Sequence, residues 1–301
     1  MLEESVAMLL PAAESRRPVF VDATFGAGGH TEALLQRSLA RVIALDADFA
    51  AFERARQLEK KYPGRLDAAH ANFGRLGEIL DERAIGHVDG IMYDLGLSSL
   101  QLADESRGFS FAGTEPLDMR LDMATPGATA ADIINTTGED ELADLIFQYG
   151  DERLARRIAR QIVRRRERSP LRTTADLVAA VLAAQPRDTG RARRRLHPAT
   201  RTFQALRIAV NEELRNLEIS LDVAGRRVRP GGRIAVISFH SGEDRIVKSV
   251  FRAWHKSGRC ELLTRKPITP GDAELAGNPR SRSAKLRGVC MIGDAQEALA
   301  A

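Results

Sequence analysis

The chain has 301 residues, 44% of them hydrophobic and 29% charged, which is the balance of a globular protein with ample length for a core. No apolar run approaches the roughly 18 residues that cross a bilayer, and the first residues lack the basic region of a signal peptide, so we expect a cytoplasmic protein with no membrane contact. The two cysteines, Cys260 and Cys290, exclude a disulfide framework and give no zinc spacing, and no metal site is predicted.

The net charge of +4 is concentrated in one segment. Residues 151–201 contain fifteen arginines and no lysine against five acids, a local balance of +10, so the rest of the chain is net negative. Such concentration is typical of proteins that bind a polyanion, most often nucleic acid. The alternative is an arginine-rich face that is only solvated.

A glycine-rich turn follows the first predicted strand. Residues 19–21 are β-branched or aromatic, and residues 31–37 resume at helical spacing. The three glycines within 26–29 permit a tight turn and the close approach of a nucleotide-like ligand to a helix N-terminus. The dinucleotide fingerprint needs a small residue where Thr31 stands, so the loop, with Asp22 before it, is more similar to the S-adenosylmethionine loop of Rossmann-type methyltransferases. A plain turn is the alternative.

The next two predicted strands end in residues suited to a nucleoside. Residues 41–46 form an apolar strand that ends at Asp46, the position from which a carboxylate accepts hydrogen bonds from a ribose diol. A helix is predicted over 47–61 and a short strand over 65–69, followed by Phe73. This ring is placed either beside an adenine or in the core.

A large insertion separates the fourth predicted strand, 88–94, from the fifth, 230–240. The gap of roughly 135 residues is several times what one crossover helix needs. The inserted segment has helical periodicity, and a long final helix beginning near Pro198 is predicted to return the chain to the sheet. Residues 185–195, rich in arginine, are predicted to form an exposed loop. Further helices are predicted over 130–135, 139–149, 152–166 and 174–184.

In an open parallel sheet, ligands bind at the carboxyl ends of the strands. The glycine loop, Asp46, Phe73, Asp94 and His240 all follow strands of this predicted sheet, so one edge is expected to hold a binding site. Each residue also has a structural alternative; for example, the segment from Ser241 matches a capping box with Ser241 as the cap. The convergence of all five loops favours an enzyme.

Seven sequence blocks carry a resemblance to a known family. They span nearly the whole chain in the order in which that family has them. The blocks are DATFGAGGH (22–30), DGIMYDLGLSS (89–99), RGFSF (107–111), PLDMRLD (116–122), HPATRTFQ (197–204), SFHSGEDRIVK (238–248) and NPRSRSAKLR (278–287). On these blocks the chain resembles the bacterial ribosomal RNA small subunit methyltransferase H family.

The resemblance implies a fold, a reaction and a set of ligand contacts. It implies an α/β, Rossmann-type class I S-adenosylmethionine-dependent methyltransferase domain at 1–104 and 199–301, with an all-helical substrate domain inserted at 105–198. It also implies methyl transfer to N4 of a decoding-centre cytosine of 16S rRNA in the small ribosomal subunit. The residues that it assigns to S-adenosylmethionine are Gly28, Gly29, His30, Asp46, Phe73, Asp94 and Gln101.

The chemistry of an amino nitrogen calls for an acceptor. The lone pair of cytosine N4 is delocalised into the ring, so a group that accepts a hydrogen bond from N4–H must direct it toward the methyl donor. Asp94 or Ser98 is expected to supply that acceptor, with His240 as an alternative. If Asp94 is committed to the cofactor, a backbone carbonyl is a further alternative.

Two other functions remain open from the sequence alone. A nicotinamide-dependent oxidoreductase shares the strand, glycine and acid order but does not need the arginine-rich insertion. A ribosome-assembly factor without catalysis would keep the RNA contacts. In the methyltransferase interpretation, arginines within 153–195 contact rRNA phosphates, and the basic tail at 280–287 either adds to that surface or forms an edge strand of the sheet. The sequence is compatible with a homodimer.

Overall fold

The computed structural model of the chain describes residues 1–10, 17–111, 113–186 and 197–292, apart from the side chain of Ser99. Two compact units are present. The sheet unit comprises Met1–Gly96 and Leu214–Ala301, and the helical unit comprises Leu97–Glu213. The helical unit includes the whole of 105–198, the segment in which the sequence predicts an inserted substrate domain.

One seven-stranded sheet forms the centre of the sheet unit. Its strands are β1 (Val19–Asp22), β2 (Arg41–Asp46), β3 (Leu66–His70), β4 (Val88–Asp94), β5 (Val228–Ser238), β6 (Cys260–Leu262) and β7 (Lys285–Met291). Their order is β3-β2-β1-β4-β5-β7-β6. The first five strands are parallel, and β7 lies antiparallel between β5 and β6. This mostly parallel sheet confirms the predicted Rossmann-type α/β class.

Both faces of the sheet are buried, which explains why its strands read as continuous apolar runs. Successive side chains of a strand point to opposite faces, so neighbouring residues enter different cores. One core contains Val21, Ile43 and Ile91, and the other contains Phe20, Val42 and Met92. This double burial fixes the register, which aligns Asp22 with Ala44, Asp46 with His70 and Asp94 with Ile237.

Thirteen α-helices occur in the described ranges. They are α1 (Leu2–Leu9), α2 (Gly29–Arg37), α3 (Phe49–Lys61), α4 (Leu76–Glu82), α5 (Ser99–Ala103), α6 (Ala130–Thr136), α7 (Glu139–Gly150), α8 (Ala155–Arg166), α9 (Thr174–Ala184), α10 (Thr200–Val210), α11 (Glu213–Arg227), α12 (Ser241–Lys256) and α13 (Asp272–Gly277). Two short 3₁₀ turns cover Phe73–Arg75 and Pro279–Ser283.

The helical unit has an apolar core of its own. Helices α6 to α10 bury one aliphatic stripe each, and capping boxes fix the starts of α6 and α9. In these boxes Thr129 pairs with Asp132, and Thr173 pairs with Asp176. The core includes Ile134, Ile146, Ile158, Ile162, Val181 and Leu206.

The single long helix predicted to begin near Pro198 is wrong, because the chain breaks between α10 and α11. Glu212 has a φ of +47°, which no helix accommodates. The preceding Asn211 turns its side chain to a loop of the same unit, where it donates to the Met119 carbonyl at 2.8 Å and accepts from the Leu121 amide at 2.7 Å. The amphipathic spacing continues through the break, so periodicity alone does not reveal it.

The helix after β5 also begins differently from the sequence expectation. His240, not Ser241, is the N-cap of α12: its Nδ1 accepts from the Glu243 amide at 3.4 Å. The Glu243 carboxylate in turn accepts from the amides of Phe239 at 2.8 Å and His240 at 3.2 Å. Ser241 is therefore the first helical residue and stands exposed.

The arginine-rich loop predicted at 185–195 lies outside the described residues from position 187 onward. Among the helices of the described ranges, none combines the length and apolarity that a membrane span requires.

Candidate active site at the carboxyl edge of the sheet

The turn between β1 and α2 depends on glycine conformations. Gly26 and Gly28 have φ values of +54° and +88°, in the left-handed region that side chains disfavour. A Cβ at Gly28 would also lie 2.6 Å from the Phe25 ring. At Gly29, the first residue of α2, a Cβ would meet nothing within 4 Å. Gly28 is therefore required by the turn itself, and Gly29 borders open space at a helix N-terminus.

Asp22, the last residue of β1, fixes this turn through hydrogen bonds to Thr24 and Thr31. Its buried carboxylate accepts from the Thr31 hydroxyl at 2.7 Å and from the Thr24 amide at 3.2 Å. Burial raises the pKa of Asp22 to about 6, although these two hydrogen bonds and a third from the Thr31 backbone amide oppose the shift. Both oxygens of Asp22 serve the backbone and the first turn of α2, so its role in this geometry is to shape the loop.

Asp46 ties the glycine loop to the end of β2. One carboxylate oxygen accepts from the Gly26 amide at 2.7 Å, and the other accepts from the Asp48 amide at 2.9 Å. Burial raises the pKa of Asp46 to about 6 against these two bonds. Each carboxylate oxygen has a second lone pair, so Asp46 can hold the loop and still accept from a diol.

Asp94 and His30 face each other across the same edge. Asp94 Oδ2 lies 3.7 Å from His30 Nδ1. Within the described part of the chain, Asp94 Oδ1 and His30 Nε2 are buried without a hydrogen-bond partner. The Asp94 side chain nevertheless keeps 35% of its surface accessible. Buried polar atoms are normally paired, so these two atoms mark a place where ligand groups are expected.

Burial shifts the pKa of both Asp94 and His30, and these shifts determine the protonation of the two side chains at neutral pH. Burial raises the pKa of Asp94 to about 6, with His30 opposing the shift. Burial likewise lowers the pKa of His30, with Asp94 opposing it. At pH 7 the pair is therefore an ionised carboxylate beside a neutral imidazole.

Thr24 is a site residue that the sequence analysis missed. Its hydroxyl accepts from the Asp94 amide at 2.6 Å, and so joins the end of β4 to the loop after β1. The only signal for it was its place inside the DATFGAGGH block. Together with the bonds of Asp46, this contact makes the glycine loop, Asp46 and Asp94 one connected polar edge, in contact with His30.

Phe73 follows β3 on the same side of the sheet. It is half-buried and meets Tyr93 edge to face, with ring centroids 6.1 Å apart. The Asn72 side chain accepts from the Gly74 amide at 2.8 Å and so fixes the turn that carries the ring. One part of Phe73 thus packs on the core, and the rest remains open to a ligand.

Ser98 and Gln101 belong to the helical unit, where they form the capping box of α5. The Ser98 hydroxyl accepts from the Gln101 amide at 3.2 Å, and Gln101 Oε1 accepts from the Ser98 amide at 2.8 Å. Gln101 is 7% exposed. Both predicted site residues therefore have a local structural function in the capping box of α5.

Of the six arginines of α8, five, including Arg165, are exposed, and Arg166 is half-buried. The helix buries Ala155, Ile158, Ala159 and Ile162 and exposes Arg156, Arg157, Arg160 and Arg164 on its opposite face. We call these four residues the α8 arginine face. Arg160 makes one long contact to Glu139 at 3.4 Å. Arg166 is different, because it donates to the Ile134 carbonyl at 2.6 Å and so serves the fold.

The basic tail forms part of the sheet. Lys285 and Arg287 lie in β7, which has neighbours on both sides. Their side chains bind Asp244 at 3.1 Å and 2.7 Å. Of the two sequence interpretations of this tail, a sheet strand therefore holds for 285–291, although the strand is internal and not an edge.

The chain matches known proteins over nearly its full length. The model of the MraW methylase family matches residues 1–292. A protein of Thermomicrobium roseum named ribosomal RNA small subunit methyltransferase H is 47% identical, with 95% of this chain and 91% of that protein covered. A protein of the same name from Acidiphilium cryptum is 46% identical, with 95% of this chain and 95% of that protein covered. Another of the same name, from Sorangium cellulosum, is 48% identical, with 99% of this chain and 91% of that protein covered.

Similarity to solved structures is more distant. The structure of a putative rRNA methylase from Clostridium thermocellum covers 97% of this chain and 95% of its own, with 11% identity and a TM-score of 0.46. The assignment therefore rests on sequence. Since the family model and relatives of nearly half identical sequence cover almost the whole chain, the chain belongs to the MraW methylase family.

Proposed function

We propose that this protein transfers a methyl group from S-adenosylmethionine to N4 of a cytosine in 16S rRNA of the small ribosomal subunit, at position 1402 in the usual numbering. The family and the names of the relatives support rRNA methylation. The observation that carries the proposal is the connected polar edge with unmet hydrogen-bonding atoms at Asp94 and His30. We place the reaction in the cytoplasm, where small subunits are found.

The residues of this edge fit S-adenosylmethionine. The open space at Gly29 leaves room for a ligand at the start of α2, Asp46 retains lone pairs for a ribose diol, and Phe73 offers a ring to adenine. His30 contributes a polar atom without a protein partner. When bound, S-adenosylmethionine supplies an electrophilic methyl group on a sulfonium ion. Gly28 shapes the turn that makes this space, and Gln101 is assigned to the same ligand by the family resemblance.

Asp94 is the acceptor that the geometry favours for cytosine N4–H. Its pKa of about 6 favours the ionised form at neutral pH, 35% of its side-chain surface is accessible, and its buried Oδ1 lacks a protein donor within the described residues. The two competing side chains lack a carboxylate charge and already act as helix caps: Ser98 Oγ accepts from the Gln101 amide, and His240 Nδ1 accepts from the Glu243 amide, which leaves the buried Nε2 of His240 as a donor. A hydrogen bond from N4–H to Asp94 would direct the nitrogen lone pair away from the ring and toward the methyl group.

The α8 arginine face is the proposed phosphate contact. Four exposed guanidinium groups lie on one side of a helix whose other side is buried, and they come from the segment in which the positive charge of the chain is concentrated. Phosphate contacts hold and orient an RNA without reading its sequence. Recognition of one cytosine then depends on the folded shape of the rRNA, and a stacked target base must be extruded to reach the methyl donor.

Methyl transfer to purified small subunits tests the proposal. Subunits with unmethylated decoding-centre rRNA are incubated with the protein and labelled S-adenosylmethionine, and the rRNA nucleosides are separated by mass spectrometry. We expect label in N4-methylcytidine at the one site. Binding of S-adenosylmethionine and subunits without incorporation would favour an assembly factor, and retention of NAD without S-adenosylmethionine would favour an oxidoreductase. Label on a different nucleoside would keep the enzyme class and refute the target.

A further inference from the structure

Two of the sequence blocks that carry the family resemblance meet in an exposed aromatic stack within the helical unit. Phe111 ends the block RGFSF, and His197 begins the block HPATRTFQ. Their rings lie 4.7 Å apart with an interplanar angle of only 7°. Phe203, buried on α10, meets the Phe111 ring edge to face at 5.6 Å. Neither the methyl-transfer site nor the α8 arginine face uses this pair.

Both rings of the pair are exposed although they are large and flat. Phe111 retains 38% of its surface, and His197 is exposed as well. Aromatic side chains of this size normally contribute to a core, so an ordered pair of rings at the surface is expected to have a partner. A parallel stack presents a flat outer face, which matches the flat face of a nucleobase.

Hydrogen bonds orient the His197 ring and anchor the segment that carries Phe111. His197 Nδ1 accepts from the Ala199 amide at 3.2 Å, which orients the imidazole ahead of α10. The block that carries Phe111 is anchored at its other end by buried Arg107, whose guanidinium donates to the carbonyls of Arg120 at 3.0 Å and Leu121 at 2.7 Å. Fixing the rings in advance lowers the entropy cost of binding a partner.

We propose that the Phe111–His197 pair is a stacking platform for an unpaired base of the rRNA substrate. The inference rests on the proposed function, because that function makes structured RNA the partner of this protein. Unpaired bases of RNA are recognised by stacking on Phe, Tyr, Trp and His, and such contacts tolerate any base because every base has a flat face. The platform would therefore hold one nucleotide of the rRNA and leave the reading of sequence to other contacts.

Two substitutions at His197 separate stacking from helix capping. His197→Asn places a carbonyl oxygen where Nδ1 accepts from Ala199 but removes the ring. His197→Phe keeps a ring and removes the acceptor. For a platform we expect His197→Asn and Phe111→Ala to raise the KM for small subunits by about 5-fold or more, with kcat little changed, since stacking of one base contributes about 1–3 kcal/mol. His197→Phe should stay close to the wild type.

The opposite pattern would overturn the proposal. If His197→Phe raises the KM and His197→Asn does not, the residue acts only as a cap. Equal effects of the two variants, or no effect of either, would equally contradict a platform. Melting temperatures of all variants show whether a change in KM reflects unfolding.

A second measurement does not depend on methyl transfer. A short single-stranded oligoribonucleotide with one 2-aminopurine is titrated with each protein, and stacking on an aromatic ring is expected to quench its fluorescence. Quenching by the wild type and His197→Phe, and its loss in His197→Asn, would support the platform even if the proposed target cytosine were wrong. Unchanged quenching in His197→Asn and Phe111→Ala would refute the platform while leaving the methyltransferase proposal intact.

Discussion

The carboxyl edge of the sheet and the outer face of α8 differ in the sign and in the burial of their charged side chains. At the sheet edge, Asp22, Asp46 and Asp94 are withdrawn from water, and the pKa of each is raised to about 6. On α8 the charges of the arginine face stand in solvent, where salt screens them and few partners constrain them. Burying carboxylates costs stability and gives fixed positions, whereas exposed arginines cost little and give long-range attraction.

In the proposed function, this difference separates the chemistry assigned to the sheet edge from the substrate capture assigned to the α8 arginine face. A reaction needs groups held to within a fraction of an ångström, and the sheet edge provides them through the bonds of Asp46 to Gly26 and of Asp94 to Thr24. Capture of a polyanion needs only a suitable density of charge. Substitutions at the sheet edge are therefore expected to change the rate of methyl transfer, and substitutions on α8 are expected to change RNA affinity and its salt dependence.

The largest fall in the rate of methyl transfer is expected from a substitution of Asp94. Asp94→Asn keeps the size of the side chain but removes the carboxylate acceptor, so kcat should fall by about 10²-fold or more. Single-turnover methyl transfer measures the chemical step, and equilibrium dialysis measures the affinity for S-adenosylmethionine separately. Asp81→Asn, at an exposed carboxylate of α4, is the matched control.

The pH dependence gives a second test of the same residue. If the ionised carboxylate is the acceptor, the wild-type rate should rise with pH until the pKa of Asp94, about 6, and then level off. A rate in Asp94→Asn equal to that of the wild type would show that Asp94 is not the acceptor.

Asp22→Asn should stabilise the protein in a pH-dependent way. The pKa of Asp22 is raised from 3.8 to about 6 in the fold, so the unfolded chain loses its proton first as pH rises, and stability falls between about pH 4 and pH 6. An amide avoids this loss, since it accepts from Thr24 and donates to Thr31 in place of the carboxylate. We expect a gain in unfolding free energy of up to about 3 kcal/mol above pH 6 and little change at pH 4.

Urea unfolding of the wild type and Asp22→Asn at pH 4 and pH 7.5 measures this difference. A destabilised Asp22→Asn at pH 7.5 would mean that the charge of Asp22 is stabilising in the fold. Activity should be affected less than by Asp94→Asn, because Asp22 shapes the loop without facing the ligand.

Neutralising the α8 arginine face should weaken RNA binding and flatten its salt dependence. For the variant with glutamine at 156, 157, 160 and 164, the slope of log affinity against log salt should fall by about 0.7 for every phosphate of single-stranded RNA that the variant no longer binds. Filter binding of small subunits over a range of salt concentrations gives the slope. Affinity for S-adenosylmethionine should not change.

Two control variants sharpen this experiment. Glutamine at Arg56 and Arg75, which are exposed arginines paired with Glu59 and Glu78, should leave the slope unaltered. Arg166→Gln should lower the melting temperature through loss of its bond to Ile134, without a change in slope. A slope unchanged by the fourfold variant would show that the α8 arginine face is merely solvated.

The smallest effects are expected at two adjacent glycines. Gly28→Ala combines a left-handed φ with a clash against Phe25, so it should cost about 1–3 kcal/mol of stability, read as a lower melting temperature. Gly29→Ala meets open space and should leave the melting temperature of the free protein unchanged. Calorimetry should show weaker S-adenosylmethionine binding for Gly29→Ala. Unaltered affinity there would place the ligand away from the start of α2.

The sheet and the polar residues at its carboxyl edge could be predicted because their signals are local. Apolar runs mark buried strands, and glycines with positive φ mark the turn at 26–28. The break between α10 and α11 could not be predicted, because Asn211 finds its partners about ninety positions earlier in the chain. The fold-bound role of Arg166 was missed for a similar reason, because its partner Ile134 lies 32 positions earlier. The capping role of His240 is local, and it was missed because Ser is a much more common N-cap than His. Side-chain identity alone does not distinguish an exposed arginine from one that binds a carbonyl.

The central claim is that Asp94 accepts a hydrogen bond from the amino group that is methylated. A crystal structure of the protein with S-adenosylhomocysteine and cytidine bound tests it most directly. Our account expects cytidine N4 within about 3 Å of a carboxylate oxygen of Asp94 and on the side of the cofactor sulfur. A cytidine whose N4 contacts Ser98, His240 or a backbone carbonyl, with Asp94 bound only to the cofactor, would contradict it.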